Sequence, residues 1–424
     1  MVNVRKLAVL ALLKVERDGA YSNLTLSTLF KENPDLTSQN KALLSNIFYG
    51  VLDRKITLDY FISKLIKTPI CKIKPFTLCV LRSTLYQIVY LDSIPNSAAV
   101  NEAVKLIKSS KESYQSGFVN AVLRSFLRDG VDLPKGDTVE ELSVVYSCPQ
   151  WITGSFIKDY GIDTARKLLE ESLKAPPVFL RVNTLKISAN SLVELLCEQG
   201  VNATIADEEN AICVTDGINV NSNELFEKGY FHIQDLSSQL CAKLLNAKPG
   251  ENILDLCAAP GGKSFTVAQY MENKGSITSC DLYEHRTKLI KDGAQRLGID
   301  IIETKTLDAT KKLPFNVLFD AVLCDVPCSG LGIIRRKPDI KYNAVADYNQ
   351  LSKIQYEILC NAAEMVKKGG RLIYSTCTLR KAENKKTVDK FLADNPDFVL
   401  EQDYTYMPHI DGTDGFYTAL LISR

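Results

Sequence analysis

The chain has 424 residues, 46% of them apolar and 24% charged, with a formal net charge of +1, proportions ordinary for a soluble globular protein long enough to hold two or three cores. No apolar run approaches the roughly 20 residues that a helix needs to span a bilayer. The 12 cysteines form no C-x-x-C pairs and no Cys/His set at zinc-ligand spacing, which argues against structural zinc and against a secreted disulfide framework. A reducing, cytoplasmic setting is expected.

Leu7 to Leu13, behind Arg5-Lys6, runs straight into Lys14-Val-Glu-Arg17 without a cleavage site; it reads as a helix and not a signal peptide. From Val4 to about Arg128 apolar residues recur at helical spacing. Phe76 to Tyr90 is apolar nearly all round, as the central helix of a bundle should be. Pro95-Asn96-Ser97 is expected to cap a helix from Ala98 to about Lys108. A further helix, Gly117 to Arg128, closes an all-helical domain over residues 1–130. This stretch carries 18 Lys/Arg against 10 Asp/Glu, whereas residues 131–235 carry 8 against 17 and residues 236–424 carry 25 against 23. Its basic surface fits either a solvated lysine-rich face or a nucleic-acid contact. In this helical setting Val119-Asn-Ala-Val-Leu-Arg124 resembles the RNA-binding domain of the transcription antitermination factor NusB.

Gly130-Val-Asp-Leu-Pro-Lys-Gly136 reads as a linker. Residues 139–235 form a small α/β linking domain: Tyr146-Ser-Cys-Pro-Gln-Trp151 opens a helix, Val178 to Thr184 is a strand, Ser191 to Gln199 a helix, and short strands lie near Thr204 and Ile212. Gly229 to Gln239 turns a strand into a helix and leads into residues 236–424. There strands and helices alternate, which implies a mostly parallel, doubly wound sheet. The strands expected are 252–257, Ser276 to Asp281, Ile301 to Lys305, Asp320 to Cys324, Gly370 to Ser375 and Gly415 to Ser423. Helices are expected from Lys263, from Glu284 to Leu297, and from about Ala344 to Val366.

The first of these strands runs into Asp255-Leu-Cys-Ala-Ala-Pro-Gly-Gly-Lys263, a tight turn expected to present unpaired backbone N–H groups to a ligand. A phosphate loop would need glycine where Cys257 stands, and Pro260 removes a backbone donor. The spacing also departs from G-x-G-x-x-G, so a nicotinamide dinucleotide is disfavoured. Asp281 ends the second strand about 20 residues past the turn, where a carboxylate accepts from ribose hydroxyls. Asp308 offers an acceptor for an adenine amino group, and Asp325 ends the fourth strand. Three such aspartates around a Gly-rich turn favour an adenosine bearing an amino-acid tail, S-adenosylmethionine. Its binding residues are expected to be Cys257, Ala258, Ala259, Pro260, Gly261, Gly262, Lys263, Asp281, Asp308 and Asp325.

Cys71, Cys79, Cys197, Cys213, Cys241, Cys280, Cys324 and Cys360 fit the role of small buried hydrophobes. Cys328, in Asp325-Val-Pro-Cys-Ser-Gly330, and Cys377, in Ser375-Thr-Cys-Thr-Leu379, sit instead in loops at the carboxyl ends of strands, where a doubly wound sheet binds its ligand. With the turn and Arg335-Arg-Lys-Pro-Asp339, these motifs resemble the RNA cytosine-C5 methyltransferase family, and the NusB-like start and Asp414-Gly-Phe416 extend the resemblance over nearly the whole chain to the bacterial branch that acts on 16S rRNA. It implies a Rossmann-like methyltransferase domain. Cys377 is then the nucleophile that adds to carbon 6 of cytosine, because carbon 5 is too electron-poor to attack a sulfonium unaided. Cys328 assists breakdown of the adduct. Asp325, with a raised pKa or a donated proton, stabilises the protonated intermediate, and Lys263 orients Asp325 or Cys328.

The target base must be unstacked to be attacked. Arg335, Arg336 and Lys337 follow the Cys328 loop and are expected to neutralise phosphates. The expected partner is 16S rRNA or a small-subunit assembly intermediate, with the enzyme a monomer that uses no metal and no membrane. Two alternatives stay open: a tRNA cytosine-C5 methyltransferase, and a non-catalytic RNA-binding assembly or antitermination factor.

Overall fold

A computed structural model describes residues 3–20, 22–215, 218, 220, 223–342 and 348–424. The chain divides into two compact units, Met1–Lys174 with Ile334–Ala344, and Ala175–Ile333 with Val345–Arg424. Among the described residues no helix is long and apolar enough to cross a membrane.

The first unit is helical. Val4–Asp18, Ser38–Leu65, Pro75–Tyr90, Asn96–Lys108 and Ser116–Asp129 contribute the side chains of one apolar core. Pro75–Tyr90 is its central element, buried on every side from Thr77 to Leu85, as its uniform apolarity requires. The one strongly charged intruder, Arg82, is satisfied: its guanidinium donates to Asp59 at 2.6 and 2.8 Å and pairs with Glu16. The helix expected from Ala98 begins at Asn96, and no side chain caps it; the Pro95 carbonyl accepts from Ala98 and Ala99 instead. Val139–Val145, Gln150–Tyr160 and Ile162–Glu171 belong to this unit as well. So does the short helical turn Pro338–Tyr342, where Asp339 accepts from the Ser22 hydroxyl at 2.8 Å and Lys341 donates to Asp53 at 2.6 Å.

The second unit carries two sheets. The smaller is antiparallel, with β1 (Val178–Val182) between β4 (Phe231–Ile233) and β3 (Ala211–Val214), and β2 (Ala203–Ile205) outside β3. The larger has seven strands: β5 (Asn252–Asp255), β6 (Ser276–Asp281), β7 (Ile302–Thr306), β8 (Phe319–Asp325), β9 (Val366–Thr376), β10 (Phe398–Tyr406) and β11 (Phe416–Ser423). Their order is β10-β11-β9-β8-β5-β6-β7, parallel except where β11 runs against both of its neighbours.

Alternate strand residues face opposite ways. Ile253, Ile277, Ala321 and Ile373 pack on helices Gly262–Tyr270 and Glu284–Leu297, while Leu254, Val322 and Leu372 pack on Tyr348–Ala363 and Lys385–Asp394. The sheet is therefore the doubly wound, Rossmann-like one expected. The start anticipated near Ala344 for the long helix lies outside the described residues, and Val366 opens β9 instead of closing that helix. β10 was not anticipated: at the sheet's edge its burial does not alternate, so it leaves no period-two signal.

Candidate active site

β5, β8 and β9 end together, and the residues that follow them make the site. After β5 the chain turns across the tip of β6. Gly261 has φ +112°, and a Cβ there would lie 2.3 Å from the Phe265 ring, so glycine is needed on two counts. Part of the row of N–H donors expected of the turn is used within the fold. Ala258 donates to Cys280 O at 2.8 Å, Ala259 to Asp281 Oδ2 at 3.3 Å, and Gly261 to Ala258 O at 2.7 Å. From Ala258 to Gly261 it is therefore closed and forms a wall, and past Gly261 the Gly262 and Lys263 N–H groups, at the start of helix Gly262–Tyr270, are donors without a backbone acceptor among the described residues.

Two cavities flank that wall. The larger, about 620 Å³, is bounded by Cys257, Ala259, Asp281 and Asp308 and, on its other side, by Cys328 and Cys377; Asp325 also lines it. The smaller, about 190 Å³, is lined by Ala258, Pro260, Gly262, Lys263 and Asp325 and shares Cys257 and Ala259. Gly261 lines neither. Asp281 Oδ1 is buried without a hydrogen-bond partner, with the Arg286 guanidinium 3.3 Å away. The Thr310 hydroxyl and N–H hold the Asp308 carboxyl below its usual range.

Beneath the turn burial pushes Asp255 up to about 7, against the Ser264 hydroxyl and Lys263. Lys263 bridges the two sides: its Nζ lies 2.7 Å from Asp325 Oδ2, 3.3 Å from Ser238 Oγ and 5.0 Å from the Phe416 ring centre. Burial opposes its charge, yet the Asp325 carboxylate holds the ammonium above its ordinary range. Ser375 donates to the other oxygen of Asp325 at 2.9 Å.

Cys328 and Cys377, 49 residues apart, bring their Sγ atoms to 3.1 Å. The hydrogen bond with Cys377, burial, and the charges of Cys377 and Glu383 push the Cys328 thiol well above its usual range. Among the cysteines read as buried, Cys79, Cys241, Cys280 and Cys324 are so, but Cys213 and Cys360 are half-buried and Cys71 and Cys197 are exposed. Cys71 lies in a short turn and Cys197 on the outer side of helix Ala189–Glu198.

The RsmB/F model of 16S rRNA methyltransferases matches residues 242–422, the NusB family model residues 2–128, and the RsmF/B-like ferredoxin-like domain residues 148–221. A probable ribosomal RNA small subunit methyltransferase B of Bacillus subtilis (strain 168) is 41% identical over 98% of this chain and 97% of its own length. The chain belongs to the RsmB/F family of 16S rRNA methyltransferases. The ribosomal RNA small subunit methyltransferase B of Photorhabdus laumondii is 32% identical over 100% of this chain and 99% of its own. The crystal structure of PH0851 superposes with TM-score 0.83 at 26% identity, covering 99% of both chains. NSun6 from Pyrococcus horikoshii, solved with SFG, shares the fold at TM-score 0.60 and 22% identity, over 65% of this chain and 98% of its own.

In this S-adenosylmethionine-dependent rRNA methyltransferase of the RsmB/F family, Cys257, Ala259, Asp281, Asp308, Asp325, Cys328 and Cys377 line the larger cavity and Ala258, Pro260, Gly262 and Lys263 the smaller, whereas Arg335, Arg336 and Lys337 line neither. Those three lie in the segment grouped with the helical unit; the two arginines are half-buried and Lys337 is exposed. Sequence reasoning missed Ser375 as a partner of Asp325, although it was quoted inside a motif. It also missed Gln355, Glu383 and Asn384, for which no spacing or composition signal exists: their partners lie on other elements.

Proposed function

We propose that this enzyme transfers a methyl group from S-adenosylmethionine to carbon 5 of a cytosine in 16S rRNA, with Cys377 bonded transiently to carbon 6. The observation that carries this reading is the pair of thiols at 3.1 Å on the wall of a cavity that extends to Asp281. That cavity suits the adenosyl group: Asp281 Oδ1, ion-paired with Arg286 but without a hydrogen bond, can accept from a ribose hydroxyl, and Asp308 can accept from adenine. The turn residues Cys257 to Lys263 and Asp325 complete the set that would hold it. Bound there, S-adenosylmethionine supplies an electrophilic methyl group on a sulfonium.

Cys377 adds as thiolate to carbon 6, and the ring's 5,6 double-bond electrons become available at carbon 5. Asp325, fixed by Lys263 and Ser375, faces N3 and the amino group of the ring and stabilises the protonated intermediate. Carbon 5 takes the methyl group, then must lose its proton before the Cys377–carbon 6 bond can break. Once Cys377 is bonded to carbon 6, its hydrogen bond with the Cys328 thiol is lost, and with it the leading cause that keeps the proton on Cys328. Cys328 then gives its proton to solvent and, as thiolate, takes the proton from carbon 5; the electrons of that C–H bond re-form the 5,6 double bond and Cys377 leaves carbon 6 as thiolate.

Residues 1–130, with Lys337 and the neighbouring Arg335 and Arg336, supply the phosphate contacts in this reading, and the chain divides functionally into 1–130, 139–235 and 236–424. Cys377→Ala should abolish both methylation and covalent capture of RNA on denaturing gels, whereas Cys328→Ala should accumulate the captured adduct. An adduct formed by Cys377→Ala would reverse the two roles. Bisulfite sequencing of rRNA and tRNA from cells lacking the protein should lose a 5-methylcytosine in 16S rRNA; loss in tRNA alone would refute the substrate.

A further inference from the structure

Two side chains on separate loops do not stay at 3.1 Å unless both backbones are held, and here each cysteine is bracketed by the residues on either side of it. Around Cys377, Asn384 Oδ1 accepts from the Thr376 hydroxyl at 2.6 Å and Asn384 Nδ2 donates to the Thr378 carbonyl at 2.9 Å. Around Cys328, Glu383 Oε2 accepts from the Ser329 N–H at 2.9 Å and from Gln355 Nε2 at 2.9 Å, and the same Gln355 nitrogen donates to the Pro327 carbonyl at 2.9 Å. The brackets are joined by the Ser329 and Thr378 hydroxyls at 2.7 Å. Glu383 is anchored by the Tyr374 hydroxyl, which donates to its carbonyl at 2.6 Å, and by Arg380, 3.0 Å from Oε1.

Glu383 is 0% exposed and Asn384 2%. A buried carboxylate is costly unless each oxygen is occupied, and every contact of this one leads to the Cys328 loop, to Gln355 or to its own anchor. We propose that the consecutive pair Glu383-Asn384 is the positioning element that sets the distance between the two catalytic thiols, Asn384 fixing the Cys377 loop and Glu383, with Gln355, fixing the Cys328 loop. Neither residue touches reacting atoms. The inference rests on the roles proposed above for Cys377 and Cys328, and it deepens them: adjacent residues govern opposite halves of the cycle, Asn384 the making of the adduct and Glu383 its breakdown.

The test compares full-length wild type, Glu383→Gln, Asn384→Asp and Cys328→Ala; the first two substitutions preserve volume, and thermal unfolding checks that each variant is folded. Glu383→Gln should accumulate covalent RNA adduct like Cys328→Ala, with kcat down at least about tenfold and the KM for S-adenosylmethionine within about twofold of wild type. Asn384→Asp should lose adduct formation with the same unchanged KM. A second readout needs no RNA. With oxidised glutathione, the two thiols give up two electrons and two protons to form a Cys328–Cys377 disulfide and two glutathiones, and mass spectrometry follows the cross-linked peptide. Its formation should slow about tenfold or more in both positioning variants. Wild-type cross-linking rates together with wild-type adduct levels in folded variants would overturn the inference. If Cys328→Ala fails to accumulate adduct, the assigned roles fail, and the cross-linking rates alone then decide whether Glu383 and Asn384 hold the thiols together.

Discussion

The turn after β5 and the paired cysteine loops after β8 and β9 face one another across a single cleft, yet they are held by different means. The turn is ordered largely from within and by its neighbouring strand: Gly261 closes on Ala258, Ala258 on Cys280, Ala259 on Asp281. The Cys328 loop is ordered from far along the chain, by Gln355 and Glu383, and the Cys377 loop by Asn384 a short way downstream and by the distant Gly332 N–H, which donates to the Cys377 carbonyl at 3.0 Å. A locally closed turn can be specified by its own residues. A pair of loops that must meet thiol to thiol has to be specified by everything that packs behind them, and such a site loses activity to substitutions well removed from the reacting atoms.

Lys263 belongs to one region and binds the other, so Lys263→Met is the sharpest way to uncouple them. It leaves the Asp325 carboxylate without its ammonium, and kcat should fall by about a hundredfold or more with a smaller change in the KM for S-adenosylmethionine, as breaking a largely buried ion pair costs about 3 kcal/mol. A loss confined to KM would mean that Lys263 works only on the turn side. Asp281→Ala acts on the turn side alone: affinity for S-adenosylmethionine, measured calorimetrically, should drop about 10- to 100-fold, while Cys328–Cys377 cross-linking proceeds at the wild-type rate. Altered cross-linking would show that the two regions are not independent.

Lys337→Ala asks whether the loop side extends to RNA. Removing one phosphate contact should weaken RNA binding a few-fold and lower the salt-dependence slope by about 0.7; an unchanged slope would remove Lys337 from the interface. A further effect, on stability and not on either substrate, is expected beneath the turn. Asp255 is protonated more readily when folded, with its pKa raised from 3.8 to about 7. A raised folded pKa favours the native state below the unfolded pKa, and that advantage is lost as pH rises toward 7. Asp255→Asn should therefore gain stability relative to wild type as pH climbs from about 4 to 7, seen as converging or crossing unfolding midpoints. Parallel midpoints would contradict it.

The two regions were also unequally legible in the sequence. The turn announces itself through Pro260-Gly261-Gly262 between an apolar strand and a helix, and Asp281 is found by counting from it. The cysteines stand out because Pro, Ser and Thr around them leave burial nothing to explain. What the sequence withholds is which distant side chain meets which loop: Glu383 and Ser329 are 54 residues apart, and no periodicity links them. The closing of the Ala259 N–H onto Asp281 was equally invisible, because a Gly-rich turn has the same composition whether its donors point outward or inward. In the helical unit the uniform apolarity of Phe76 to Tyr90 predicted a central helix, but not that Arg82 would be carried inside by Asp59 and Glu16, which lie on two other helices.

The helical unit is not an uninterrupted N-terminal block. The segment Ile334–Ala344 belongs to it, and that segment buries Lys341, 1% exposed, against Asp53, and Asp339, 7% exposed, against Ser22. A gene cut after Lys174 would thus yield a fragment missing part of its own interior, and a graft of this unit onto another enzyme would leave Asp53 and Ser22 facing a gap. In engineering terms the two units are not interchangeable cassettes: either can be exchanged only if the insert that crosses between them is exchanged as well.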